Sequence, residues 1–125
     1  MTENDLSQIV VDWCLKVHRT LGPGLLESVY EEALCYELRK AGLAYKRQQE
    51  IDVFYEDIKM NAGFRADIIV EEKLVLELKS IEAVLPVHLK VLRTYLRLTD
   101  IKLGLLINFN VALLKDGIKR LVNNL

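Results

Sequence analysis

The 125-residue sequence predicts one α/β domain, residues 1–125, with a central mixed β-sheet flanked by helices. Three observations lead there. Two N-terminal segments carry apolar residues three and four apart, the middle of the chain alternates with a period of two, and a helical segment opening at Pro86 separates two groups of strands.

The first helix is expected over about Asp5–Thr20, where Leu6, Ile9, Val10, Trp13, Cys14 and Val17 recur on one side; Gly22-Pro23-Gly24 ends it. A second runs from about Leu26 to Ala41, with Val29, Tyr30, Ala33, Leu34 and Leu38 as its apolar side and Gly42 as its terminator. Lys46–Tyr55 reads as a strand, and Glu56-Asp57 turns it into a short return strand at Ile58–Asn61. Phe64–Val70 and Leu74–Lys79 form a hairpin around Glu71-Glu72-Lys73. Proline in a first turn sacrifices no hydrogen bond, so Pro86 opens a helix reaching about Leu98. Lys102–Asn108, apolar on both sides, is an interior strand. Asp116-Gly117 signals a turn between strands Val111–Lys115 and Ile118–Val122.

Composition narrows the class. With half the residues apolar and only eight Gly and Pro together (6 and 2), the chain folds throughout except at Met1–Asn4 and the last residues. The net charge of −1 means that phosphate binding would need a local patch. Cys14 and Cys35 lie in apolar helical patterns and read as buried thiols. The polar start MTENDLSQ has no signal-peptide character, and Leu103–Phe109 is far too short to span a membrane, so a cytoplasmic location without membrane contact is expected.

The candidate chemistry lies in FRADIIVEEKLVLELK, Phe64–Lys79. With a three-residue loop, Val70 opposes Leu74 and Asp67 opposes Glu77, so the two acids share a face with Lys79. Ala66, Ile68 and Val70 then meet Leu74, Leu76 and Leu78 as continuous core; a loop one residue shorter would split the acids. Opposed carboxylates roughly 5 Å apart repel by about 3 kcal/mol at an effective dielectric of ~20. A divalent cation offsets that repulsion, and oxygen ligands suit Mg²⁺ or Mn²⁺. Lys79 would then assist an attacking water or stabilise charge on a phosphate. The plainer alternative is an ion pair of Lys79 with Asp67 or Glu77 on a wet face.

Gly24-Leu25-Leu26-Glu27-Ser28-Val29-Tyr30 matches the signature of the GxxExxY family, and the surrounding VHRTLGPGLLESVYEEAL, FRAD, LELK, LPVH, TYLRLT and GLLINFN…LLKDGIKR resemble that family over nearly the whole chain. The resemblance implies the PD-(D/E)XK nuclease superfamily and a restriction-endonuclease-like core. By it, Asp67 matches the first acid and Glu77-Leu78-Lys79 the (D/E)XK element. Asp67, Glu77 and Glu27 would hold Mg²⁺, with the Leu78 carbonyl as a further oxygen, and Lys79 would be the catalytic lysine. Glu27 reads equally as a carboxylate favoured by its helix start, and Tyr30 as a packing residue with a wet hydroxyl.

One position departs from the pattern: many superfamily members have a glutamine four residues before Tyr95, where this chain has Val91. His88 lies at helical distance from Tyr95, and Tyr30, His88 and Tyr95 are accessory candidates. Lys90, Arg93 and Arg97, three and four apart, form either a phosphate-binding stripe or a solvated helix face. Arg65 would contact phosphate or neutralise Asp67. The implied function is metal-dependent hydrolysis of phosphodiester bonds in DNA, with a homodimer presenting two sites. The alternative is a catalytically silent nuclease fold that binds nucleic acid or protein.

Overall fold

The computed structural model describes residues 1–60 and 63–125. Helix α1 (Glu3–Leu21) and helix α2 (Glu27–Lys40) precede β1 (Tyr45–Ile51), the small pair β2 (Phe54–Tyr55) and β3 (Ile58–Lys59), β4 (Phe64–Val70), β5 (Leu74–Lys79), α3 (Pro86–Thr99), β6 (Leu103–Asn108), a 3₁₀ turn (Leu114–Gly117) and β7 (Ile118–Val122). The main sheet has the order β1-β4-β5-β6-β7. Only β5 and β6 run parallel, joined through α3; the other neighbours are antiparallel. This is the expected mixed sheet flanked by helices.

Each face of the sheet has its own core. Leu6, Val10, Cys14, Tyr30, Leu34 and Leu38 of α1 and α2 pack with Ile68, Val70, Leu74, Leu76, Leu78 and Leu105. On the other side Leu92, Tyr95 and Leu96 of α3 cover Ala66, Ile69, Val75 and Leu106. Strands β5 and β6 are therefore buried on both faces, which is why their sequences read as nearly unbroken apolar runs. Cys14 and Cys35 are free and fully buried, as expected. Among the described residues no helix is long and apolar enough to cross a membrane.

The β4–β5 register is set by its loop. Glu71 and Glu72 both adopt left-handed conformations and the Lys73 N–H donates to the Val70 carbonyl at 2.9 Å, so Val70 faces Leu74 and Ile68 faces Leu76. One expectation fails nearby: Ala66 joins the core under α3 instead of continuing the face of Ile68 and Val70. The alternation breaks because the ladder ends at Ile68 and because Gln48, on the neighbouring strand, is left-handed at φ 49°.

Three other expectations are corrected. The first helix begins at Glu3, inside a segment expected to be loose, because Thr2 caps it: the Thr2 hydroxyl accepts from the Asp5 N–H and the Asp5 carboxylate accepts from the Thr2 N–H. The strand expected over Lys46–Tyr55 breaks at Asp52-Val53 into β1 and β2. Its return strand, expected over Ile58–Asn61, is seen at Ile58–Lys59, and Asn61 lies outside the described residues.

The hairpin of Val111–Lys115 with Ile118–Val122 does not form. Phe109 turns into the core and stacks on Tyr30 at 4.3 Å, His18 Nε2 lies 2.8 Å from the Val111 carbonyl, and Leu114 is buried, so this segment closes as a 3₁₀ turn. β7 pairs with β6 instead. At Gly117 an added Cβ would overlap the Asn108 carbonyl oxygen. Gly117→Ala is expected to destabilise the fold by about 2–3 kcal/mol, read as a lower urea midpoint.

Candidate active site

Asp67 and Glu77 meet where β4 and β5 part. The backbone ladder stops at Ile68–Leu76, and the side chains replace it: Asp67 Oδ2 accepts the Leu78 N–H at 2.8 Å and Glu77 Oε1 accepts the Asp67 N–H at 3.3 Å. Backbone donors freed by the separation are thus satisfied by carboxylates. In a strand the N–H and C=O of one residue point the same way, so the Leu78 carbonyl also opens on the gap. The Lys79 carbonyl points to the other side, accepting from the Phe109 N–H at 2.9 Å.

The acids are held in an environment that disfavours their charge. Glu77 is 5% exposed, and burial first, the Asp67 carboxylate second, push its pKa up to about 8. Burial also raises Asp67, against the lowering effect of the Leu78 and Gln48 hydrogen bonds. Lys79 is half-buried at the end of β5, and its charge favours ionisation of both acids. Among the described residues no ion pair joins Lys79 to either acid, so the plain surface-pair alternative is not what is seen.

Glu27 is exposed at the start of α2, and its charge raises the Glu77 pKa, which puts it within electrostatic reach of the gap. Tyr95 comes closer. It is buried from α3, packs edge-on against Phe64 at 5.4 Å, and burial together with Glu77 and Asp67 pushes its hydroxyl up to about 12. Val91, one turn earlier, is partly buried and packs against the core under α3.

Other candidates lie elsewhere or are already engaged. Tyr30 has no wet hydroxyl: it is fully buried, its O–H donating to the Gly22 carbonyl at 2.5 Å and accepting from the Leu25 N–H at 3.1 Å. It shapes the glycine loop before α2. His88 caps α3, its Nδ1 accepting the Leu85 N–H at 2.8 Å. Arg65 does not neutralise Asp67 but pairs with exposed Glu50 at 3.0 Å. Lys90, Arg93 and Arg97 are exposed along α3.

Two site residues escaped the sequence reading. Glu31, one turn after Glu27, is buried, and its charge raises Asp67. Gln48 Nε2 donates to Glu31 Oε1 at 2.7 Å and to Asp67 Oδ1 at 3.2 Å, while Arg47 pairs with Glu31 at 2.9 Å. That bond to Glu31 holds the Arg47 guanidinium firmly protonated. The available signal was Glu31 four residues after Glu27, the helical spacing that puts both on one face; nothing in the strand marked Gln48.

A family model described as the PD-(D/E)XK nuclease superfamily matches residues 4–121. The chain belongs to this superfamily. Comparison with curated proteins and with solved structures gives no significant match. As a member of a nuclease superfamily the chain has its expected fold, and the superfamily's chemistry draws attention to the gap between β4 and β5. Among the described residues no three His, Cys, Asp or Glu side chains form a metal-holding group. The donor set still suits a hard cation that keeps most of its waters and needs only one or two carboxylates. Asp67, Glu77 and the Leu78 carbonyl are all oxygen donors, and the two acids repel each other without a cation between them.

Proposed function

We propose that the chain is a divalent-metal-dependent nuclease hydrolysing phosphodiester bonds in DNA. The observation that carries this is the gap itself: two carboxylates beside a lysine that has no ion pair among the described residues, around an opening between strands, with the acids destabilised as anions. Asp67, Glu77 and the Leu78 carbonyl would hold Mg²⁺ or Mn²⁺, with Glu27 at the rim. Bound there, the cation supplies Lewis-acid polarisation of the phosphate and easier deprotonation of water.

The chain's own groups do the rest. Lys79 places an ammonium beside the phosphate to offset charge that develops in the transition state. Exposed Lys90, Arg93 and Arg97 would guide the nucleic-acid backbone along α3. A homodimer would offer two such sites, one for each strand.

Gln48 is a positioning residue in this reading, fixing Asp67 through its amide. Gln48→Ala is expected to raise the Mg²⁺ concentration for half-maximal cleavage by about tenfold. Because Gln48 is left-handed in a strand, Gln48→Gly should be more stable than Gln48→Ala by about 1 kcal/mol while sharing the metal defect. Urea midpoints and metal titrations separate the two effects.

Val91 favours a second reading, a nuclease fold that binds without turnover, since a partly buried apolar residue packed against the core stands where many members carry glutamine. The deciding experiment titrates Mg²⁺ or Mn²⁺ against single- and double-stranded DNA, with RNA as a further substrate, for wild type, Asp67→Asn and Lys79→Ala. Metal-dependent cleavage lost in both variants supports the enzyme. DNA binding indifferent to metal, with no cleavage, supports the binding module.

A further inference from the structure

Helix α2 carries a second apolar stripe besides the one it buries. Tyr30, Leu34 and Leu38 face the core, whereas Val29, Ala33 and Tyr36, spaced four and three, line a groove with Val17 and Leu21 of α1. The groove measures about 730 Å³. Tyr36 is 52% exposed in it, and Val29 39%. Lys16, Glu32, Glu37 and Arg39 line the same groove, so its apolar floor carries a charged rim.

Charge on the same helix selects the occupant. Glu32 lies one turn before Tyr36 and Lys40 one turn after, with the Lys40 ammonium 5.3 Å from the Tyr36 ring centre. A surface with an acid at one end and a base at the other complements its own copy when turned through a two-fold axis. We propose that this groove is a homodimer interface in which two α2 helices pack antiparallel about an axis at Tyr36.

In that arrangement Glu32 of each chain faces Lys40 of the other, giving two equivalent charge pairs, while a parallel arrangement would align like charges. Glu32 Oε2 already pairs with Arg47 at 2.9 Å, leaving its other oxygen for the second copy. By the 3.6-residue period Glu27 and Glu31 point away from this stripe, so pairing leaves the gap between β4 and β5 open.

The proposal specifies the homodimer mentioned above and is tested without nucleic acid or metal, so its failure is distinct from failure of the nuclease reading. Sedimentation velocity should find a dimer for wild type, a dissociation constant raised at least about tenfold in Lys40→Glu, and recovery in Glu32→Lys/Lys40→Glu. Tyr36→Cys should form a disulfide-linked dimer on mild oxidation, since Cys14 and Cys35 are buried and unreactive. Circular dichroism checks that each variant folds. A wild-type monomer, a dimer indifferent to Lys40→Glu, or a double variant that stays dissociated would overturn the interface.

Discussion

Lys79→Ala is expected to lower the rate of phosphodiester cleavage by about 10²–10³-fold, the usual loss when one preorganised charge is removed from a reacting centre. The fold should be untouched. Lys79 ends β5 half-exposed and, among the described residues, without an ion pair, so truncation removes no buried contact. Asp67→Asn should cost cleavage at least as much and also weaken metal binding. An asparagine Oδ1 can still accept the Leu78 N–H that Asp67 Oδ2 accepts at 2.8 Å, so the strands should stay parted. Single-turnover cleavage with metal titration separates the cases: Lys79→Ala keeps its metal dependence at a lower rate, while Asp67→Asn loses both. Equal cleavage by wild type and Lys79→Ala would remove Lys79 from the chemistry.

The second large effect is on stability, through Glu77. Its pKa of about 8 in the fold stands above the 4.5 of an ordinary glutamate, which applies to the unfolded chain. Between those values the folded chain keeps a proton that the unfolded chain has released. Stability without metal therefore falls as pH rises through this window, by an amount on the order of 3 kcal/mol. Asp67, also raised, adds a slope of the same sign. Urea midpoints taken from about pH 5 to about pH 8 should decline for wild type and decline much less for Glu77→Gln, in which only Asp67 still contributes. Mg²⁺, which requires the ionised pair, should stabilise wild type more as pH rises. A wild-type midpoint that climbs over this range would show that Glu77 is not held neutral.

Much of this was legible before any coordinates. Periodicity located α1, α2 and α3, and the bounds of β4 and β5 were read correctly because Glu71-Glu72-Lys73 punctuates two unambiguous runs. What misled was local turn chemistry. Asp116-Gly117 resembles a hairpin turn, yet Phe109 and Leu114 gain more from burial than Val111–Lys115 would from a ladder. Tyr30 differs from expectation for a related reason: a hydroxyl expected in water finds the backbone of its own glycine loop.

The sequence alone determined the bounds of β4 and β5 and the register of their paired end, because a period of two with a three-residue loop sets which residues oppose for as long as the ladder runs. Only the tertiary structure decided what that opposition does. Below Ile68 the strands separate, so the carboxylates turn into the gap and accept backbone N–H groups. Gln48 of β1 reaches Asp67 and ties it to Glu31 of α2, two elements distant in sequence from β4. Such convergence depends on how α2 packs over the sheet and on β1 pairing with β4, and side-chain periodicity within one element carries no information about either.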